Sequence, residues 1–478
     1  MAESLREKTF KGTVWSAVEK FSVQGVQFLV MLFMARLLSP SDYGTIGMIS
    51  IFTIILGSLV DSGFSQALIR KIDRTEVDNS TVFYFNIVAG VFMYGILYLC
   101  APLIADFYNV PILTPLTRAV GMSLIFNSLC VVQRAQYTLN LDFRTQAKVS
   151  LSSAIVSGII GIYFAYKGHG VWALVYQTYA SLIVNSALLW WGSKWRPIWA
   201  FSWSSLKEMF GFGSKLLLSG LLDKGYINMY QLVIGKVFSA ADLGLYSRAQ
   251  NFSSLASENI TSTIQRVTYP VLCSIQNEDN RLRDNYRLLI RVSAFIIFPL
   301  MIGMAAVAKP MIITLVTEKW IYSATLLVPI CLSGMWYPVH AINLNLLMVK
   351  GRSDLFLRLE IIKKVMGVTV LVFSIPFGLL LMCWFRIGTS IISLIINTYY
   401  TGKLINVGFI TQMRDLMHIL LLSLFMGFAV RLTTDLLVLP SALLLIVGVV
   451  EGAIIYLGGA IILKYSELTE IKSLIKRQ

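Results

Sequence analysis

Residues 35–44 read ARLLSPSDYG, and residues 235–244 read GKVFSAADLG. The two stretches lie 200 residues apart and share Ser39/Ser239, Asp42/Asp242 and Gly44/Gly244, with Arg36 matched by Lys236. Each follows one long apolar run and opens the next. A serine three residues ahead of an aspartate marks a helix start: the hydroxyl caps free N–H groups, and the acid reaches back and favours the positive end of the helix. Pro40 suits the first helical position. Alone the signal is common; its recurrence between apolar runs predicts an internal repeat.

A second pair extends the repeat. Residues 19–27 read EKFSVQGVQ and residues 223–231 read DKGYINMYQ, so Glu19, Lys20, Gln24 and Gln27 match Asp223, Lys224, Asn228 and Gln231. The offset is 204, one helical turn more than the first. A lysine and the residues four and seven further on share one helical face. In the first run that face extends back to Ser16 and Thr13. An even number of spans separates the two stripes, so the halves run in the same direction, as a parallel repeat.

The chain has 478 residues, 56% hydrophobic and 14% charged, against about 25% charged in soluble domains. It is an integral membrane protein, and its counting unit is the apolar span of about 20 residues. Apolar runs lie at about 14–34, 43–60, 81–101, 117–132, 149–166, 171–191, 210–234, 244–263, 289–308, 323–349, 364–381, 384–401, 416–433 and 440–463. Run length and the lack of strand alternation exclude a β-barrel. The expected fold class is an all-α integral membrane protein with about 14 transmembrane helices. Two parallel six-helix lobes, 1–202 and 203–401, surround a central cavity, and 402–478 adds two C-terminal helices and a cytoplasmic tail.

Net charge is +15. With the N-terminus cytoplasmic, 29 Lys and Arg fall on the inner side, Arg134 among them, and 8 on the outer, Arg386 among them, the positive-inside pattern. Both termini are therefore expected in the cytoplasm. The basic balance does not imply nucleic acid, because no basic stretch is interleaved with exposed aromatics. The longest connection, 264–288, has about 25 residues, too few for a soluble catalytic domain. The N-terminal MAESLREKTFKGT lacks the apolar core of a removable signal peptide. Cys100, Cys130, Cys273, Cys331 and Cys383 are scattered and read as packing residues; His169, His340 and His418 lack metal-site spacing. No cofactor is implied, and a coupling ion such as H+ or Na+ stays open.

The polar stripes carry the functional expectation. An ionisable residue near the bilayer centre costs about 2.5–3.5 kcal/mol on insertion scales. Lys20 is near the inner end of its run and can snorkel; Lys224 is mid-run. Neighbours in sequence do not face each other on a helix, so Glu19–Lys20 and Asp223–Lys224 need other partners. Glu19 with Lys224, and Asp223 with Lys20, are the expected pairs in one state. In the eighth run Ser247, Asn251, Ser254 and Glu258 recur at helical spacing beside Arg248, as a cavity-lining helix would; the alternative is a helix partly outside the membrane. The tenth run carries Trp336, Tyr337, His340, Asn343 and Asn345, and His340 reads as a satisfied buried histidine. The second run is nearly all apolar, so the lobes are not expected to be functionally equal.

The candidate substrate contacts are Lys20, Gln24, Gln27, Lys224, Asn228, Gln231, Arg248 and Asn251. Glu19, Asp223 and Glu258 are candidates for charge pairing or proton coupling. Cations suit phosphate or pyrophosphate, and amides with aromatic faces suit sugars. The plainer alternative for the amides is hydrogen bonding between packed helices.

The stretch GTVWSAVEKFSVQGVQFLVMLFMARLLSPSDYGTIGMISIFTIILGSLVDSGFSQALIRK (residues 12–71), with ADLGLYSRAQNFSSL and VTYPVLCSIQNE, resembles the polysaccharide-transporter (Wzx-type) branch of the multidrug/oligosaccharidyl-lipid/polysaccharide exporter superfamily. The resemblance implies a bacterial inner-membrane flippase, not an enzyme. Its substrate would be undecaprenyl-pyrophosphate-linked oligosaccharide repeat units for lipopolysaccharide O-antigen, capsule or exopolysaccharide, moved by alternating access. Polysaccharide polymerase and assembly proteins would be its partners. It assigns no individual binding residue. A cation-coupled multidrug exporter would prefer an acidic cavity, and a membrane polymerase or ligase a sizeable outer loop.

Overall fold

The structure, a computed structural model, describes residues 5–470. The side chains of 5–14, 16–18, 212, 215, 216, 219 and 267 lie outside that description, Thr13 and Ser16 of the first stripe among them. The fold is all-α: among the described residues every regular element is helical. The chain forms two compact units, Met1–Gly244 and Leu245–Gln478.

The first unit contains α1 (Leu5–Leu37), α2 (Pro40–Asp61), α3 (Phe64–Arg70), α4 (Glu76–Tyr108), α5 (Leu113–Gly121), α6 (Ser123–Ser128), α7 (Val131–Leu139), α8 (Phe143–Tyr166), α9 (Val171–Gly192) and α10 (Trp203–Val237). The second contains most of α11 (Ala240–Ser274), then α12 (Asp279–Ala306), α13 (Ala308–Leu315), α14 (Ile321–Gly334), α15 (Tyr337–Val349), α16 (Ser353–Ser374), α17 (Gly378–Ile405), α18 (Phe409–Leu436) and α19 (Ser441–Ile462). All fourteen apolar runs fall on these helices. By length and composition alone, eight described helical stretches can cross a membrane, or nine if one bent pair counts as a single span. One of the eight, Ser353–Ile405, holds two runs: it breaks at Ile375–Gly378 and folds α16 against α17. The other runs are short, bent or interrupted by polar residues.

The repeated motif does what its spacing predicts. Ser39 caps α2: the Asp42 N–H donates to Ser39 Oγ at 3.2 Å, and the Ser39 N–H donates to Asp42 Oδ2 at 2.8 Å. At α11 the Asp242 N–H donates to Ser239 Oγ at 3.0 Å. The first turns of α2 and α11 also meet. A Cβ on Gly44 would overlap the Ala240 carbonyl oxygen, and one on Gly244 would overlap that of Pro40. Glycine at both positions is what lets backbone lie on backbone.

Packing elsewhere in this unit follows membrane rules, where small residues rather than hydrophobic drive bring helices together. A Cβ on Gly158 of α8 would overlap Val30 of α1, and one on Gly161 would lie 2.9 Å from Gln177 of α9. Val30, Met34, Leu38, Ala165, Ala173 and Leu174 form the core there. The connector 193–202 has no helix to satisfy its backbone, so α4 does it: Ile198 N–H donates to Ser80 Oγ and Ser202 N–H to Thr81 Oγ1, both at 3.0 Å. Lys71, between α3 and α4, ties Glu208 of α10 at 3.0 Å to Asp78 of α4 at 3.2 Å. The Glu208 carboxylate, accepting its hydrogen bond, holds the Lys71 ammonium above the usual lysine range.

The second unit is fastened by a buried polar cluster. Gln412 of α18 donates to Asn343 Oδ1 (3.1 Å), Tyr286 OH (3.2 Å), Thr401 Oγ1 (3.2 Å) and the Val407 carbonyl (3.1 Å), and accepts from Asn343 Nδ2 at 3.0 Å. Nearby, Arg287 of α12 forks onto Asp415 of α18 at 2.7 and 2.6 Å. His340 is satisfied on both ring nitrogens, by Ser390 at 3.0 Å and Asn397 at 3.2 Å. Replacing one member of such a cluster strands the rest, at about 1–3 kcal/mol per buried group. Gln412→Leu is therefore expected to lower the thermal unfolding midpoint of the detergent-solubilised protein, while Ile410→Ala, on an exposed neighbour, leaves it unchanged. Equal midpoints for wild type and Gln412→Leu would show the cluster to be idle.

Candidate functional site

Lys224 lies on α10, 13 residues before its C-terminal end at Val237. Its Nζ donates to Ser58 Oγ of α2 at 2.6 Å. The pair borders a cavity of about 440 Å³ within the first unit. α2 contributes Thr53, Gly57, Ser58 and Asp61, α6 contributes Ser123 and Asn127, and α7 contributes Arg134. The cavity exists because two chain paths break beside it. α2 ends at Ser62 and Gly63, both in the left-handed region at φ 45° and 73°. The fourth span is split, with a 40° bend between Leu113–Ser128 and Val131–Leu139.

These breaks position the charges. Asp61 Oδ1 accepts the Ser65 N–H of α3 at 3.3 Å. Arg134 Nη2 donates to Asn185 Oδ1 at 3.1 Å, and its guanidinium still borders the cavity. Two cations therefore face one carboxylate, with hydroxyls and an amide between them. Donors of this kind are chemically suited to a phosphate-bearing group.

The other expected residues are spread more widely. Glu19 is half-buried, and its Oε1 accepts from Ser150 Oγ of α8 at 2.7 Å. Glu19 and Lys224, suggested as mutual partners, each engage a hydroxyl on another helix in this structure. Lys20 and Gln24 are half-buried, Gln27 and Asp223 exposed, and Gln231 half-buried; Lys20, Gln24 and Asp223 are engaged by neighbours. Asn228 is buried and donates to the Lys224 carbonyl at 2.8 Å, so it serves its own helix. In the second unit Asn251 and Glu258 are exposed along one face of α11. Arg248 is only 2% exposed, with its guanidinium 4.8 Å from the Trp320 ring centroid, a cation packed on an aromatic face.

Ser58, Asp61 and Arg134 carry the cavity and were not singled out from sequence. The second run read as nearly all apolar, yet its small polar residues point at Lys224. Arg134 read as a loop residue, although it lies within α7. Arg386 read as an outer-loop cation. It lies instead within α17, and its Nη1 donates to Tyr246 OH at 2.7 Å and Gln250 Oε1 at 2.9 Å. The Pro376–Gly378 break, a turn signal, marks the true helix start and was the clue available.

Known proteins share this chain's sequence and fold. The profile of a family described as polysaccharide biosynthesis protein matches residues 33–325. The teichuronic acid biosynthesis protein TuaB of Bacillus subtilis (strain 168) is 25% identical over 95% of this chain and 95% of its own length. The lipopolysaccharide biosynthesis protein WzxC of Escherichia coli (strain K12) is 24% identical over 77% of this chain and 75% of its own. A structure of the lipid II flippase MurJ in an inward closed conformation superposes with a TM-score of 0.72 at 16% identity, covering 95% of this chain and 99% of that one. The fold is thus the two-lobed, all-α membrane fold of that structure.

Charge balance gives the cavity a signed test. A charge-assisted hydrogen bond contributes about 1.5–3 kcal/mol, so Lys224→Met is expected to weaken binding of inorganic pyrophosphate to the purified protein by roughly tenfold or more. Asp61→Asn is expected to strengthen it. Isothermal calorimetry reads both, and no change in either variant would remove the cavity as an anion site.

Proposed function

The chain belongs to the polysaccharide biosynthesis protein family, and from that premise we propose that it is a flippase. It carries lipid-linked oligosaccharide repeat units, joined through pyrophosphate to undecaprenol, across the bacterial inner membrane for surface-polysaccharide assembly. The observation that carries this reading is the Lys224–Arg134 cavity: two cations lining one hollow in a fold shared with a lipid II flippase. TuaB and WzxC, named for teichuronic acid and lipopolysaccharide biosynthesis, support the substrate class.

In this reading Lys224 and Arg134 take the pyrophosphate, while Ser58 and Asn127 meet the first sugar. Lys20, Gln24, Gln27 and Gln231 extend the polar path for the glycan in the first unit, with Asn228 bracing it from within the packing; Asn251 and Arg248 are the proposed substrate contacts of the second unit. Glu19, Asp223 and Glu258, joined by Asp61, offset the cations and are the groups able to exchange a coupling proton. The positive-inside bias supports cytoplasmic termini. Residues 1–202 and 203–401 act as the two repeats that alternate access, with 402–478 attached to the second. Delivered units pass to a polymerase on the outer face.

Two measurements check this. Proteoliposomes containing the protein and a fluorescent undecaprenyl-pyrophosphate oligosaccharide should show the label crossing bilayers, read by its quenching from outside. Folded protein that leaves the label on its original side, or that extends the sugar chain instead, would sink the proposal. In cells, Lys224→Ala should abolish surface polysaccharide with protein levels maintained; full surface polysaccharide in that variant would take Lys224 out of the mechanism.

A further inference from the structure

A second cavity, about 670 Å³, lies wholly within the second unit and plays no part in the site above. Its walls are α12, α13, α14, α17 and α18. On α18 the lining residues Leu424, Gly427, Phe428 and Arg431 fall at i, i+3, i+4 and i+7, a single helical face. α14 presents Ile321, Thr325, Val328 and Leu332. Leu380 and Trp384 close the side on α17. Apart from Thr325 and the tip of Trp384, this surface is apolar until it reaches two cations, Lys309 and Arg431.

Both cations sit at one end. Arg287 of α12 pairs with Asp415 of α18, and further along a Cβ on Gly427 would overlap Ile302. The two helices therefore run parallel, and Lys309 and Arg431 emerge together beyond them. Arg431 gives its Nε to Asp435 at 2.7 Å, and among the described residues no carboxylate lines the cavity itself. The wall between the cations and the far end is built partly from small residues, Ala305, Ala306, Ala324 and Gly427. From Leu424 to Arg431 it extends about 10 Å along the helix axis.

We infer that this groove is a binding site for an anionic phospholipid, with one acyl chain along the small-residue wall and the phosphate on Lys309 and Arg431. Charge complementarity selects the occupant: basic pockets between membrane helices hold anionic headgroups, and a dry apolar slot with a cationic mouth matches the two ends of one lipid. A straight saturated chain lies flat against alanine and glycine, where branched isoprene units would stand off.

Native mass spectrometry of the whole protein in detergent tests this with phosphatidylglycerol against phosphatidylcholine of identical chains. Each cation near a headgroup contributes about fivefold, so wild type should retain one phosphatidylglycerol roughly tenfold or more in preference. Lys309→Ala should lose about fivefold of that preference. Thr325→Trp, an exposed position, keeps both cations but fills the slot and should lose phosphatidylglycerol altogether. Equal retention of the two lipids by wild type overturns the site, as does either variant binding like wild type. Displacement of phosphatidylglycerol by equimolar polyprenyl phosphate would assign the groove to the carrier lipid instead.

Discussion

A lysine in the middle of a long helix needs acceptors around it. The hydroxyl that Lys224 donates to comes from Ser58 of α2 rather than from its own helix. α2 ends at Ser62–Gly63, just past Ser58 and Asp61, and Ser65 follows on α3, so all three border one cavity. The bent pair of helices after α4 brings Asn127 and Arg134 to the same space. Both chain breaks therefore lie beside the cavity.

The second unit meets the same dielectric penalty in the opposite way. Tyr286, Asn343, Thr401 and Gln412 are buried polar groups whose donors and acceptors satisfy one another. Low dielectric strengthens such a closed network and penalises any open one. Because Gln412 and Asp415 belong to α18, that helix is fastened into the unit by the same network and by the ion pair beside it. A chain ending before α18 would leave Tyr286, Asn343 and Thr401 without the Gln412 amide and the Arg287 guanidinium without the Asp415 carboxylate.

What could be read from sequence was local. Ser39/Asp42 and Ser239/Asp242 specify their caps through residues three apart, and the fourteen apolar runs found their helices because run length is a one-dimensional property. Lys224 was legible because a charge in an apolar run is conspicuous by itself. Ser58 and Asp61 were not, because a serine costs little in a span and an aspartate at a run's edge looks like loop. Their meaning depends on which helix they face. Arg248 shows the converse: conspicuous in sequence, yet covered by Trp320, more than 70 residues distant along the chain. Hydropathy put Arg386 at the edge of its run, whereas α17 starts earlier, at Gly378 with its φ of 85°.

The crossing of Gly44 and Gly244 has an entropic side as well. Side chains that interlock lose rotamer freedom when they are buried. Backbone resting on glycine has no rotamers to freeze, so at these two positions the meeting of α2 and α11 gives up none.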